Sequence, residues 1–315
     1  MSASPAEVKA DTGPQVNAAS QDAVVAAPQE MLLKSLPNAK ALLLKAAATA
    51  TRKPTMDTLA PALSVRVNQV KFSAAWVSAY NKVCGFEAEE ISLTAPQVLA
   101  SGLHLHLMAN EAVPFPMLGM VHMYNEIESF VPLSLESPYD VVVSFGETRK
   151  LPLGLEFQVI TRFFEGEQLV WQAVMTILSR IKGARVVAAK PAPLVELDAT
   201  EAQYVRLDVP ENQGRKYAKV SNDYNPIHLH AKSASLFGFS KAIAHGMWTA
   251  ARLLADVSKQ LESAPARYEV RFKQPVFLPS SSMVKFQAGV TGAQYQLLSS
   301  KDSKVLMEGR VSASL

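Results

Sequence analysis

The 315-residue chain is 49% hydrophobic and 19% charged, with a formal net charge of +3. That composition can bury a sizeable core, excludes a chain disordered throughout, and is too weakly basic to argue for nucleic acid. The single cysteine, Cys84, excludes an intrachain disulfide framework and a cysteine-cluster metal site, and it fits a reducing compartment.

Residues 1–30 are rich in Ala, Ser, Pro and Gln and poor in large apolar side chains. Such a stretch cannot bury enough surface to offset its ordering entropy, which predicts a disordered tail. It lacks the apolar core of a secretory signal. The chain ends in Ser312-Ala313-Ser314-Leu315 rather than the peroxisomal Ser-Lys-Leu, so a cytoplasmic protein is expected. Residues 31–64 read as a helical arm and linker, with one or two short surface helices in the Leu/Ala-rich 31–51. The most apolar run, 39–50, is too short for a membrane span and is broken by Lys40 and Lys45.

A first domain is expected over 65–190. Residues 76–86 suggest a strand and turn, and 96–110 suggest a helix that must stop by Pro114-Phe115-Pro116. In 117–130, Leu118, Val121, Tyr124 and Ile127 recur at helical spacing, which predicts a second helix. Strands are predicted over 140–147, 155–164 and 169–180, the last two joined by a hairpin turn at Glu165-Gly166-Glu167. Lys190-Pro191-Ala192-Pro193 marks a boundary to a second domain, 191–315. The same order recurs there. A strand over 204–209 precedes an amphipathic helix over 247–261, with Ala250, Leu253, Leu254, Val257 and Leu261 on one side. Strands over 267–273, 283–290 and 305–311 follow.

Gly-Met at 119 and 246, and Phe-Gln at 157 and 286, stand 127 and 129 residues apart, which suggests an internal repeat. A helix wrapped by an antiparallel sheet, made twice, satisfies this pattern. That architecture is α+β, a double hot dog, and it forms a pseudo-dimer within one chain. Such a chain can work alone or as a homodimer.

Chemistry-capable residues concentrate in 217–247. In Asp223-Tyr224-Asn225-Pro226-Ile227-His228, Pro226 disfavours helix at Asn225, so the segment must turn. A turn can bring a carboxylate and an imidazole around one water, as an acid–base pair. The same residues also suit a plain turn or cap, with a satisfied core histidine. Ala244-His245-Gly246-Met247 then opens a helix, whose first N–H groups lack partners and carry partial positive charge. Gly246 has no Cβ, so a substrate oxygen gaining negative charge could approach its N–H.

The whole stretch closely resembles the signature of the MaoC-like dehydratase, or (R)-specific enoyl-CoA hydratase, family. The matching residues are Tyr217, Ser221, Asp223, Asn225, Pro226, Ile227, His228, Ala234, Gly238-Phe239 and Ile243-Ala244-His245-Gly246-Met247. Two positions depart from it. Asn222 stands for the usual Gly, and His230 for the usual acidic residue; neither is catalytic in the family pattern. Asn tolerates left-handed backbone angles, so Asn222 can keep the turn. The resemblance implies hydration of trans-2-enoyl thioesters to (R)-3-hydroxyacyl thioesters, or the reverse. Asp223 would act as base, His228 would orient the water, Gly246 N–H would bind the thioester oxygen and Asn225 would shape the turn. The substrate is then a CoA or acyl-carrier-protein thioester, with no metal or redox cofactor. The first half lacks the motif, and the resemblance implies that it shapes the acyl pocket instead. A hot-dog thioesterase and a non-catalytic acyl-carrier-binding subunit are the alternatives. The Asn-Pro-x-His run argues against the first, and the paired Asp223 and His228 against the second.

The remaining histidines carry less. His104 and His106 have no carboxylate to complete a metal set. His122 is expected on the first helix, and His245 reads as structural. Trp76, Trp171 and Trp248 read as core or interface residues. Arg215, Lys216, Lys241, Arg271 and Lys273 are undifferentiated phosphate-binding candidates.

Overall fold

A computed structural model describes residues 29–313 except 88, 185, 187–191 and 199. The expected tail therefore lies outside the described residues, apart from Gln29 and Glu30, which belong to a strand. Strand β1 (Gln29–Leu33) runs parallel to β2 (Leu63–Val70). Helix α1 (Ala39–Ala48) and the 3-10 turn Thr49–Thr51 lie between them. Then come α2 (Ala74–Cys84), α3 (Ala95–Leu99) and α4 (Ser101–Ala109). Strands β3 (Val121–Ser129), β4 (Tyr139–Leu151), β5 (Gly154–Glu165) and β6 (Gln168–Arg180) complete the first half. The second half opens with β7 (Gln203–Val209), α5 (Gln213–Ser221), the 3-10 turn Pro226–His228 and α6 (Ala231–Ser235). It closes with α7 (Gly246–Ser258), β8 (Pro265–Phe272), β9 (Ser280–Gly289), β10 (Gly292–Ser299) and β11 (Val305–Ala313).

The strands form one 11-stranded sheet, ordered β1-β2-β4-β5-β6-β3-β8-β11-β10-β9-β7. The order β2-β4-β5-β6-β3 is mirrored by β7-β9-β10-β11-β8, so two equivalent sheets meet edge to edge. At that seam β3 pairs antiparallel with β8, placing Asn125 opposite Val270 and Ile127 opposite Tyr268. The double hot dog is present, with its two sheets fused into one.

In the second half, α7 buries Ala250, Leu253, Leu254 and Val257. Burying each of the larger apolar side chains stabilises the fold by roughly 1.5–3 kcal/mol. The Tyr268 hydroxyl ties the helix to the sheet by donating to Ala250 O at 2.9 Å. The halves also interlock through their helices. Trp76 Nε1 on α2 donates to Val220 O on α5 at 2.8 Å, and Trp248 Nε1 on α7 donates to Val83 O on α2 at 3.0 Å. Trp171 is fully buried and donates to Leu93 O at 3.0 Å.

Several expectations need correction. Residues 121–129 form β3 rather than a helix, so His122 lies on a strand. A register shift between His122 and Tyr124 breaks the alternation of two, which left an apolar spacing that mimics a helix. Residues 74–84 form a helix rather than a strand and turn. Ser73 caps it by accepting the Trp76 N–H at 3.4 Å, and Gly85, at φ 87°, ends it. The helical reading of 96–110 holds as α3 and α4. Residues 31–51 hold α1 but also part of β1. The dipeptide markers of the repeat fail, because Gly119-Met120 leads into a strand and Phe157 and Phe286 lie on β5 and β9, which occupy different places in their halves. The repeat itself stands, with β2 starting at Leu63 and β7 at Gln203. Strand β10 and helix α5 escape the sequence reading. Among the described residues no helix is long and apolar enough to cross a membrane.

Candidate active site

Helix α5 ends at Asn222, which adopts φ 57° and ψ 11°. This left-handed position is the one where the family pattern has Gly, and Asn accepts it at little cost. Three polar side chains flanking Asn222 then build a turn. Ser221 Oγ accepts the Asp223 N–H at 3.2 Å while donating to Tyr217 O at 2.9 Å. Asp223 Oδ1 accepts the Asn225 N–H at 3.0 Å, and Asn225 Oδ1 accepts the Ile227 N–H at 3.3 Å. Asn225 thus caps the 3-10 turn that Pro226 opens and His228 closes.

Two further residues fix that turn, Gly214 from outside the motif and Ile243 from its later part. Gly214 on α5 packs so closely that a Cβ there would lie 1.9 Å from His228 O. Ile243 donates its N–H to Ile227 O at 3.0 Å and accepts from His228 Nδ1 at 2.8 Å. Gly214 carries no sequence signal beyond being glycine, and Ile243 acts through its backbone.

A carbonyl can only accept, so His228 Nδ1 carries the proton and Nε2 keeps its lone pair. His245 stacks on His228 with ring centroids 3.8 Å apart. Its Nε2 donates to Asp223 O at 3.0 Å and lies 3.8 Å from Asp223 Oδ2. One nitrogen or oxygen from each of Asp223, His228 and His245 falls within 4.8 Å of the others. These three form the one group of this kind among the described residues. Committing His228 Nδ1 and His245 Nε2 to backbone carbonyls orients both rings and leaves His228 Nε2 as an acceptor near the Asp223 carboxylate, an arrangement that can do acid–base work on a water.

Electrostatics fit that use. Burial lowers the proton affinity of His228, and the nearby Asp223 and the bond to Ile243 offset it only in part. For Asp223, burial works against the carboxylate, but 45% of the side chain remains exposed. His245, His228 and the Asn225 N–H outweigh burial and hold the carboxyl below its usual range. His245 is pushed well down, first by burial and then by His228. The pair therefore stands as carboxylate and neutral imidazole at neutral pH.

Gly246 follows His245 directly and opens α7. Its missing Cβ would come within 3.0 Å of the Phe272 ring. Asp223, Asn225, His228 and Gly246 are thus brought to one place, beside the partly positive start of the helix.

The other sequence candidates lie elsewhere. His104 Nε2 bonds Thr161 Oγ1 at 2.8 Å in the first half. Arg271 and Lys273 both pair with the fully buried Glu308, at 3.2 and 3.1 Å, so one carboxylate serves two cations. Arg215 Nη1 donates to Leu229 O at 2.9 Å and helps to hold the turn.

Comparison with known proteins places this geometry in a family. A family model described as a MaoC like domain matches residues 188–301. The 3-hydroxyacyl-thioester dehydratase X of Mycobacterium tuberculosis is 32% identical over 244 residues, spanning 77% of this chain and 86% of the relative. The chain belongs to the MaoC-like dehydratase family. The crystal structure of HtdX from the same organism superposes with a TM-score of 0.67 at 28% identity, covering 80% of this chain and 100% of that one. A MaoC-like dehydratase from Phytophthora capsici shares the fold, with a TM-score of 0.64 at 16% identity over 83% of this chain and 98% of that one. Membership thus extends across both hot dogs, although the family model matches mainly the second.

Proposed function

We propose that this chain is a hydro-lyase that hydrates trans-2-enoyl thioesters to (R)-3-hydroxyacyl thioesters, or dehydrates them in reverse. The observation that carries the proposal is the convergence of Asp223 and His228 beside the start of α7, with one ligand atom of each within 4.8 Å. In the hydration direction, Asp223 takes a proton from a water held between its carboxylate and His228 Nε2. The water oxygen bonds to C3, and a proton is delivered to C2 on the same face. One O–H bond and the C2=C3 π bond break, and one C–O and one C–H bond form, with no net redox change. Charge that develops on the thioester oxygen meets the Gly246 N–H at the positive end of α7. Asn225 holds Asp223 and the His228 turn in register.

The test follows loss of the conjugated thioester absorbance with crotonyl-CoA and with a longer enoyl-CoA. Asp223→Asn and His228→Ala are each expected to lower kcat by about 10²–10⁴-fold, the usual contribution of a positioned acid–base group. Undiminished hydration in either variant would overturn the assignment. Release of CoA without hydration would point to thioester hydrolysis instead.

A further inference from the structure

Resting on that reading, a second set of polar side chains bears on which acyl groups the site accepts. Gln97 on α3 is 3% exposed and Asn125 on β3 is fully buried. Among the described residues their amide nitrogens find only thioether sulfurs: Gln97 Nε2 to Met175 Sδ at 3.8 Å, and Asn125 Nδ2 to Met247 Sδ at 3.5 Å. Sulfur of this kind is a weak acceptor. The amide oxygens, Gln97 Oε1 and Asn125 Oδ1, are buried with no hydrogen-bond partner among the described residues, and so is His122 Nε2. A buried polar atom left unpaired is costly, and native chains keep few of them.

These groups form one set, continuous with the candidate site. Met175 faces Asn125 across the β3·β6 register, so Gln97 and Asn125 flank the same methionine. The His122 ring lies 4.5 Å from Phe272, the ring against which Gly246 packs. Met247, which Asn125 touches, is the residue after Gly246. The set therefore starts where the thioester would sit and runs beneath α3 into the first half. All three unpaired atoms act as acceptors here. Two are amide oxygens, and the His122 ring is held neutral by burial with its other nitrogen bonded to the Tyr124 backbone. What fits them is a donor.

We propose that a hydroxyl group carried by the acyl chain beyond C3 binds among Gln97, Asn125 and His122, donating its one hydrogen to one of these acceptors and accepting from an amide N–H of Gln97 or Asn125, which makes the enzyme selective for hydroxylated over plain alkyl enoyl thioesters. A site built to bond a hydroxyl discriminates strongly against the analogue that lacks it.

The test compares trans-2-enoyl-CoA substrates of equal length, one plain and the others hydroxylated at successive carbons beyond C3. At least one hydroxylated isomer is expected to exceed the plain chain in kcat/KM by about tenfold or more. Asn125→Leu and the near-isosteric Gln97→Met are each expected to reduce that ratio by about tenfold. The absence of any preference, as when ordered water alone fills the set, would overturn the proposal. So would variants that slow all substrates in parallel, the mark of a merely structural role. If Asn125→Leu does not fold, Gln97→Met decides. Failure of the wild type to turn over any substrate would instead strike the acid–base reading. In that case, calorimetric binding of the matched saturated acyl-CoA molecules, plain against hydroxylated, decides the selectivity in the same two directions.

Discussion

The ionisation of Asp223 and His228 sets the pH range over which the proposed chemistry can run. Burial holds the His228 imidazole below its ordinary value of 6.5, and its neighbours hold the Asp223 carboxyl below its ordinary value of 3.8. The forms required are the deprotonated ones, so activity is lost as pH falls, not as it rises through neutrality. The acid limb of kcat/KM should therefore lie below 6.5, the ordinary histidine value. A profile measured from about pH 4 to 8, where histidines and carboxylates titrate, checks this. An acid limb at or above the ordinary histidine value would contradict it. The tautomer sharpens the role of each nitrogen. His228 Nδ1 is committed to Ile243 O, so only Nε2 can face the water.

At the scale of elements, the site depends on α5 lying against the turn that carries His228. Gly214→Ala tests this. On helix propensity alone the change should stabilise α5 by up to about 1 kcal/mol. The added Cβ, however, would stand 1.9 Å from the His228 carbonyl oxygen, which is backbone and cannot swing aside. Overpacking of that kind typically costs about 1–3 kcal/mol, so a net loss of stability is expected. Because the strain falls on the His228 turn, kcat should drop more than the melting midpoint alone would suggest. A variant as stable and as active as the wild type would show that α5 does not position the turn. Gly214 also shows where sequence reading stops. The turn itself was legible because Asp223, Asn225 and Pro226 act locally, through bonds two residues long. The Asn222 backbone was legible only through the family resemblance, which has Gly at that position. By contrast, β3 was misread because its pairing with β6 and β8, and the irregularity after His122, are non-local. The long strands β5 and β6 were clear from their alternation, whereas the markers for the repeat were two-residue coincidences. His245 lay in the motif, but nothing in its spacing told that its ring would stack on His228.

On the scale of the whole molecule, the two hot dogs share more than a boundary. Strands β3 and β8 pair over five residues, so neither half has a free edge at the seam. The helices cross over it as well, through Trp76 to Val220 O and Trp248 to Val83 O. Separating the halves would hand these indole donors and strand groups to water, and each intramolecular hydrogen bond so lost costs about 0.5–1.5 kcal/mol net, besides the apolar surface uncovered. Losses of that size, summed over the seam, compare with the roughly 5–15 kcal/mol total stability of a typical domain. The halves should therefore unfold together. Calorimetry of the full chain is expected to show one transition, coincident with loss of far-ultraviolet ellipticity. Val270→Pro tests the coupling directly, because Val270 is a fully buried residue of β8 that faces Asn125 across the seam. Proline cannot serve in a central strand, so the substitution should lower the midpoint for both halves together. Trp171 reports on the first half, and it is far in sequence from the change. If its environment melted at the wild-type temperature while the second half was already unfolded, the seam would not couple the two hot dogs.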